Sequence, residues 1–140
     1  YEFTADGTQT GRKVQAVFGG SWAADMSRAD ANGMLWQVNV GGEASKGGVA
    51  PHEVETLARA IAQVPRLQLR GLMTIPRPTS DLAEQRAQFR VLRELRDRLV
   101  SVGTSLDTLS MGMSDDLESA IAEGATLVRV GRAIFGARGA

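Results

Sequence analysis

The chain has 140 residues, 43% of them apolar and 23% charged, the balance of one globular domain and too short for two ordinary cores. Sixteen basic residues cancel sixteen acidic ones, so no global field draws the chain to nucleic acid or to an acidic membrane. With no cysteine and a single histidine, His52, disulfides, thiolate chemistry and zinc sites built from Cys and His are excluded.

No apolar run reaches the roughly 18 residues of a membrane span and no basic-then-apolar leader opens the chain, so the expected compartment is the cytosol. The first residue is Tyr1 and not Met, which reads as a processed product or a piece of something longer. Residues 1–34 scatter Gly7, Gly11, Gly19, Gly20 and Gly33 through polar sequence. Val14 to Phe18 suggests a strand there, and Ser21 to Ala31 a weak helix around Trp22 and Met26. This stretch is expected to be a separate segment from residues 35–140.

From Leu35 onward one pattern recurs four times, a short β-forming apolar run followed by an amphipathic stretch, which is how βα units read. The first run, Leu35 to Val40, breaks at the loop Gly41 to Gly48, and Pro51 then opens a helix with Val54, Leu57, Ala58 and Ile61 on one face, ended by Pro65. The second, about Leu69 to Ile75, runs into Pro76 and Pro78. A helix follows from Ser80 or Asp81, with Glu84 placed to close a capping box and Leu82, Phe89, Leu92, Leu95 and Leu99 sharing a face. The third strand is Leu106 to Met111, followed by a helix with Leu117, Ala120 and Ile121 inward and Gly124 as its stop. The fourth is Leu127 to Val130, then Gly131 and a short apolar helix, Ala133 to Phe135.

Strands alternating with helices must be parallel and joined by right-handed crossovers, so the expected fold class is α/β with helices covering a parallel sheet. Four units in about 100 residues are half of the eight that close a (β/α)8 TIM barrel. A half barrel has two open sheet edges, to be covered by residues 1–34, by a second copy of the chain in a homodimer, or by another half.

In such architectures ligands bind beyond the carboxyl ends of the strands, and the last two βα loops of barrels often hold a phosphate. Gly112-Met113-Ser114-Asp115-Asp116 after the third strand offers a glycine, a hydroxyl and the free N–H groups of a helix start. The same residues also suit an ordinary helix N-terminus with Ser114 or Asp115 as N-cap. Gly131 and Arg132 repeat the pattern after the fourth strand. Arg129 alternates with Val128 and Val130 and leaves the opposite face, either into a barrel interior, where a guanidinium needs partners, or outward to a helix carboxylate. The loop Gly41 to Gly48 lacks the spacing of a P-loop, although Lys46 lies beyond a strand end, where an amine could meet an aldehyde or a phosphate. Asp115 with Asp116 suits a helix dipole better than magnesium, and no metal site is expected. Arg86, Arg90, Arg93, Arg96 and Arg98 amid Glu84, Glu94 and Asp97 read as a solvated helix face rather than an RNA footprint.

Four segments together resemble the C-terminal half of the YggS/PROSC family of pyridoxal 5′-phosphate (PLP) homeostasis proteins. They are Gln37 to Val40 with Glu43 to Gly48, Leu69 to Pro76, Leu109 to Asp116, and Val128 to Gly131 with Ile134 to Gly136. The resemblance implies a barrel like that of alanine racemase, PLP as the cofactor, and intracellular storage and delivery of PLP without a catalysed reaction. It implies that Ser114 with Gly112, Met113, Gly131 and Arg132 surrounds the PLP phosphate and that Arg129 faces the pyridine nitrogen, with no catalytic residue. The family has threonine where this chain has Arg132, so only the backbone amide carries over there. The family's Schiff-base lysine lies on the first barrel strand and has no counterpart among these motifs; nothing around Lys13 matches it, and Lys46 stays open as a reactive amine. Two further readings of the residues stand beside this one: a phosphate-binding barrel enzyme acting on a small phosphorylated substrate, and a non-catalytic half barrel that assembles by edge pairing.

Overall fold

A computed structural model describes residues 22–25, 33–64 and 67–136. The elements run β1 (Trp22–Asp25), β2 (Gly33–Gln37), a 3-10 turn (Pro51–Glu53), α1 (Val54–Ala62), β3 (Gln68–Met73), α2 (Leu82–Ser101), β4 (Thr108–Ser110), α3 (Leu117–Ala122) and α4 (Arg132–Phe135). The sheet order is β1-β2-β3-β4. β2, β3 and β4 are parallel, as βα units demand. β1 is antiparallel to β2 and lies along its outer edge, so the weak helix expected over Ser21 to Ala31 is not formed at Trp22–Asp25. Asp25, together with Ser27 and Asp30 further along, leaves too narrow an apolar face for a helix, whereas a strand there satisfies the backbone of an otherwise open edge. The strand expected at Val14 to Phe18 lies outside the described residues.

Register decides which side chains face the helices. Leu72 lies opposite both Trp36 and Leu109, and all three are buried in one core with Val54, Leu57, Phe89, Leu92 and Leu99 from the helices. Their chain neighbours Gln37, Met73 and Ser110, also in register, therefore share the other face, the inner wall of the partial barrel. A shift between Met34 and Leu35 skips Arg70 and restores this alternation after the start of β3.

Helix starts follow the local chemistry. Ala50 N–H donates to Glu53 Oε2 at 3.0 Å ahead of Pro51, which occupies the first helical position. Asp81 caps α2 by accepting from the N–H groups of Ala83 and Glu84. The reciprocal half of the expected capping box is absent, because the Glu84 carboxylate turns to Thr79 Oγ1 and Arg77 instead. Phe89, Leu92, Leu95 and Leu99 are buried as their spacing predicts, but Leu82, the first residue of α2, is exposed. Ile121 is exposed too, since six residues of α3 bury only Ser119 and Ala120.

The fourth expected strand is reduced to an extended segment. Leu127 N–H donates to Leu109 O at 3.1 Å, Met111 N–H to Leu127 O at 3.0 Å and Arg129 N–H to Gly112 O at 2.9 Å. The segment thus runs parallel along the end of β4. Alternation turns the backbone groups of Val128 and Val130 to the far side, which is the remaining edge of the sheet. No helix of the described residues is long and apolar enough to cross a membrane.

Candidate functional site

Two turns leave the carboxyl ends of β4 and of the segment Leu127 to Val130, and their side chains meet. Ser114 Oγ accepts a hydrogen bond from Ala133 N–H at 3.1 Å, and Arg132 pairs with Asp115 across the same gap. Neither Ser114 nor Asp115 caps α3; the N-cap is Asp116, without a side-chain cap bond. The Ser114 hydroxyl is therefore left to bridge the two turns, with its own proton still available to donate. The N–H groups of Gly131 and Arg132 open α4, where first-turn amides have no intrahelical acceptor.

The two glycines differ in kind. Gly112 has φ +97°, and a Cβ there would come within 2.6 Å of Ala120 Cβ, so α3 packs directly on its backbone. Around Gly131 a Cβ would meet nothing within 4 Å, so no other element packs against that side of its backbone. Met113, expected beside the phosphate, has its N–H committed to Asp116 Oδ1 at 2.7 Å, and its side chain instead lines a neighbouring groove. Ile75, Pro78, Leu82, Asp115 and Arg132 also line that groove.

Arg129 points inward. Its Nη1 donates to Ser110 O at 3.0 Å and to Ser110 Oγ at 2.6 Å, and Nη2 donates to Thr74 O at 2.9 Å. Its side chain thereby straps the ends of β3 and β4 together on the inner wall. Burial pushes its pKa down, and the Asp116 carboxylate opposes that shift. A guanidinium remains charged under such a shift, so a fixed cation sits at the carboxyl ends of β3 and β4. Its Nε–H and second Nη2 hydrogen are not used by these bonds.

Lys46 takes no part in this constellation. Its Nζ donates to Pro76 O at 2.8 Å and Ile75 O at 3.3 Å and pairs with Glu43 at 2.5 Å, tying the loop after β2 to the loop after β3. Asn39 braces the same loop, donating to Glu43 O at 2.8 Å and accepting from Glu43 N–H at 3.2 Å.

The arginines of α2 are the feature that sequence reasoning missed. Arg86, Arg90 and Arg93 all converge on Glu123, at 2.9, 3.1 and 2.8 Å, and this carboxylate at the end of α3 is completely buried. Burial pushes the Glu123 pKa up, but the hydrogen bonds from Arg90 and Arg86 outweigh that and hold it below its ordinary value. The spacing 86, 90, 93 does mark one helix face. Nothing local places Glu123 against it.

Parallel strands covered by helices, with two turns meeting beyond the carboxyl ends of the strands, are the architecture of a partial α/β barrel. The chain belongs to the alanine racemase, N-terminal domain family, which matches residues 14–139, a match beginning within the segment 1–34. Among its relatives is the pyridoxal phosphate homeostasis protein of Pseudomonas aeruginosa, 62% identical over 102 residues, which make up 73% of this chain and 43% of that protein. The same named protein of Escherichia coli is 49% identical over 108 residues, covering 75% and 45%. PipY of Synechococcus elongatus, solved with PLP bound, superposes with a TM-score of 0.63 at 32% identity, covering 76% of this chain and 50% of that one. The chain thus spans less than half the length of the curated relatives it matches.

Proposed function

We propose that this chain carries the phosphate and ring-nitrogen side of a PLP site and serves the storage and delivery of PLP, without a catalysed reaction of its own. The observation that carries the reading is the bond from Ala133 N–H to Ser114 Oγ, which sets two amide-bearing turns side by side, with the half-buried Arg129 on the segment that leads into the second of them. The donor set suits the cofactor: the Ser114 hydroxyl and the amides of Gly131 and Arg132 complement a dianionic phosphate. Arg129 would offer its unused hydrogens to the pyridine nitrogen. Relatives named for PLP homeostasis and a PLP-bound PipY support the same ligand.

When bound, PLP supplies an aldehyde and an electron-withdrawing ring. The contribution of Arg129 is to keep that ring nitrogen unprotonated, because a permanently charged guanidinium disfavours a second positive charge beside it. Thr74 and Ser110 hold the guanidinium in place through their carbonyl oxygens and the Ser110 hydroxyl. An unprotonated ring withdraws electrons weakly, which favours carriage over carbanion chemistry. Lys46, tied to two carbonyl oxygens and Glu43, is not a covalent anchor in this reading.

Fluorescence titration with PLP tests the proposal. Binding is expected to saturate, to be displaced by inorganic phosphate, to weaken about three- to ten-fold in Ser114→Ala through loss of one charge-assisted hydrogen bond, and to be unchanged in Lys46→Ala. Pyridoxal lacking the phosphate binding as tightly as PLP would overturn it.

A further inference from the structure

We infer that Asp115 is an internal competitor for the phosphate: its carboxylate occupies the Arg132 guanidinium, an exposed cation at the turn pair, and so limits the affinity of the site for a phosphorylated ligand. The inference rests on the reading above and concerns how that site is tuned.

The geometry is specific. Arg132 begins α4, one residue after Gly131, so its amide and its guanidinium belong to the same turn. Asp115 follows Ser114 directly, so the ion pair crosses the gap between the turns beside the Ser114–Ala133 bond. Both side chains are largely exposed, 62% for Arg132 and 74% for Asp115, and neither is held by packing. An exposed pair of this kind is weak and exchanges partners readily. A phosphate between the turns presents more charge and more acceptor oxygens than one carboxylate, so Arg132 is expected to leave Asp115 for it. The other carboxylate in the turn does not do this, because Asp116 accepts from Met113 N–H and faces Arg129 electrostatically. Binding then costs the breaking of one internal ion pair, and release is assisted by its re-forming.

A double-mutant cycle on the full chain decides the matter, with PLP and inorganic phosphate as the probes and pyridoxal without phosphate as the control. Asp115→Asn is expected to tighten PLP and phosphate about two- to five-fold, the scale of an exposed ion pair, and to leave pyridoxal binding unchanged. Arg132→Gln is expected to weaken both phosphorylated probes, and in the Arg132→Gln background Asp115→Asn is expected to have lost most of its effect. An equal gain in both backgrounds would mean that Asp115 merely repels the anion, and would overturn competition for Arg132. No gain in Asp115→Asn, with Ser114→Ala still weakening PLP, would overturn the inference and leave the site standing. Phosphate binding indifferent to Ser114→Ala and Asp115→Asn alike would remove the site, and the inference with it.

Discussion

The turns at Gly112 and Gly131 look alike as sequence, each a β-forming run, a glycine and a helix start, yet they do opposite work. Gly112 is a packing position: positive φ and the approach of Ala120 leave no room for a side chain, and its carbonyl receives Arg129 N–H. Gly131 is an open position with space beside it, at the start of α4, where first-turn amides have no intrahelical acceptor. One glycine locks α3 and the Leu127 to Val130 segment to the end of β4, and the other leaves a surface for a ligand. A glycine before a helix is thus evidence of a site only when the space beside it is empty.

Substitutions can break that contrast. Gly112→Ala is expected to have the largest effect, a loss of about 2–3 kcal/mol from strain at positive φ added to overpacking against Ala120, read as a shift of the urea midpoint. A midpoint unchanged from the parent would mean that α3 does not rest on this backbone.

The buried carboxylate under α2 comes next. Glu123→Gln is expected to cost about 1–2 kcal/mol, a moderate figure because all three arginines keep access to water. The same group gives stability a pH dependence of known sign. Its folded pKa is depressed below the ordinary value of about 4.5, so its contribution is complete above that value. It is lost as the pH falls below about 4.5 and through the lower folded value. Urea melts of the parent between pH 7 and pH 3 are expected to show this loss, and Glu123→Gln to flatten that part of the profile. A profile of the same steepness in both proteins would locate the acid sensitivity elsewhere.

Gly131→Ala is expected to be the smallest change, within about 0.5 kcal/mol in stability, because its backbone is not in the left-handed region and a Cβ there meets no neighbour. A loss as large as that of Gly112→Ala would erase the distinction between the two turns.

Much of the architecture was legible beforehand. Alternating apolar runs and amphipathic stretches carry β2, β3, β4, α1 and α2, because burial on one face imposes a period that can be counted along the chain. Asp81 was readable as a cap for the same reason, since its partners lie two and three residues away. The errors fall where a partner is distant or a segment short: Leu82 exposed at the very start of α2, Ile121 on a helix too brief to bury it, and Trp22–Asp25 drawn into a strand by the edge of β2. Ser114, Arg129 and Gly131 could be singled out as candidates, but whether Arg129 turned inward was left even by alternation alone.

The order of its βα units, the outward and inward faces of its main helices and the family to which it belongs were determined by the amino-acid sequence, because these follow from local periodicity and from spaced motifs. Tertiary structure alone decided that Ser114 meets Ala133 across 19 residues, that Arg129 binds Thr74 across 55, and that three arginines close on Glu123. The physical reason is that a charge or hydroxyl takes its role from whichever partner the packing of separate elements brings within about 3 Å, and that distance is not written in the spacing of either residue.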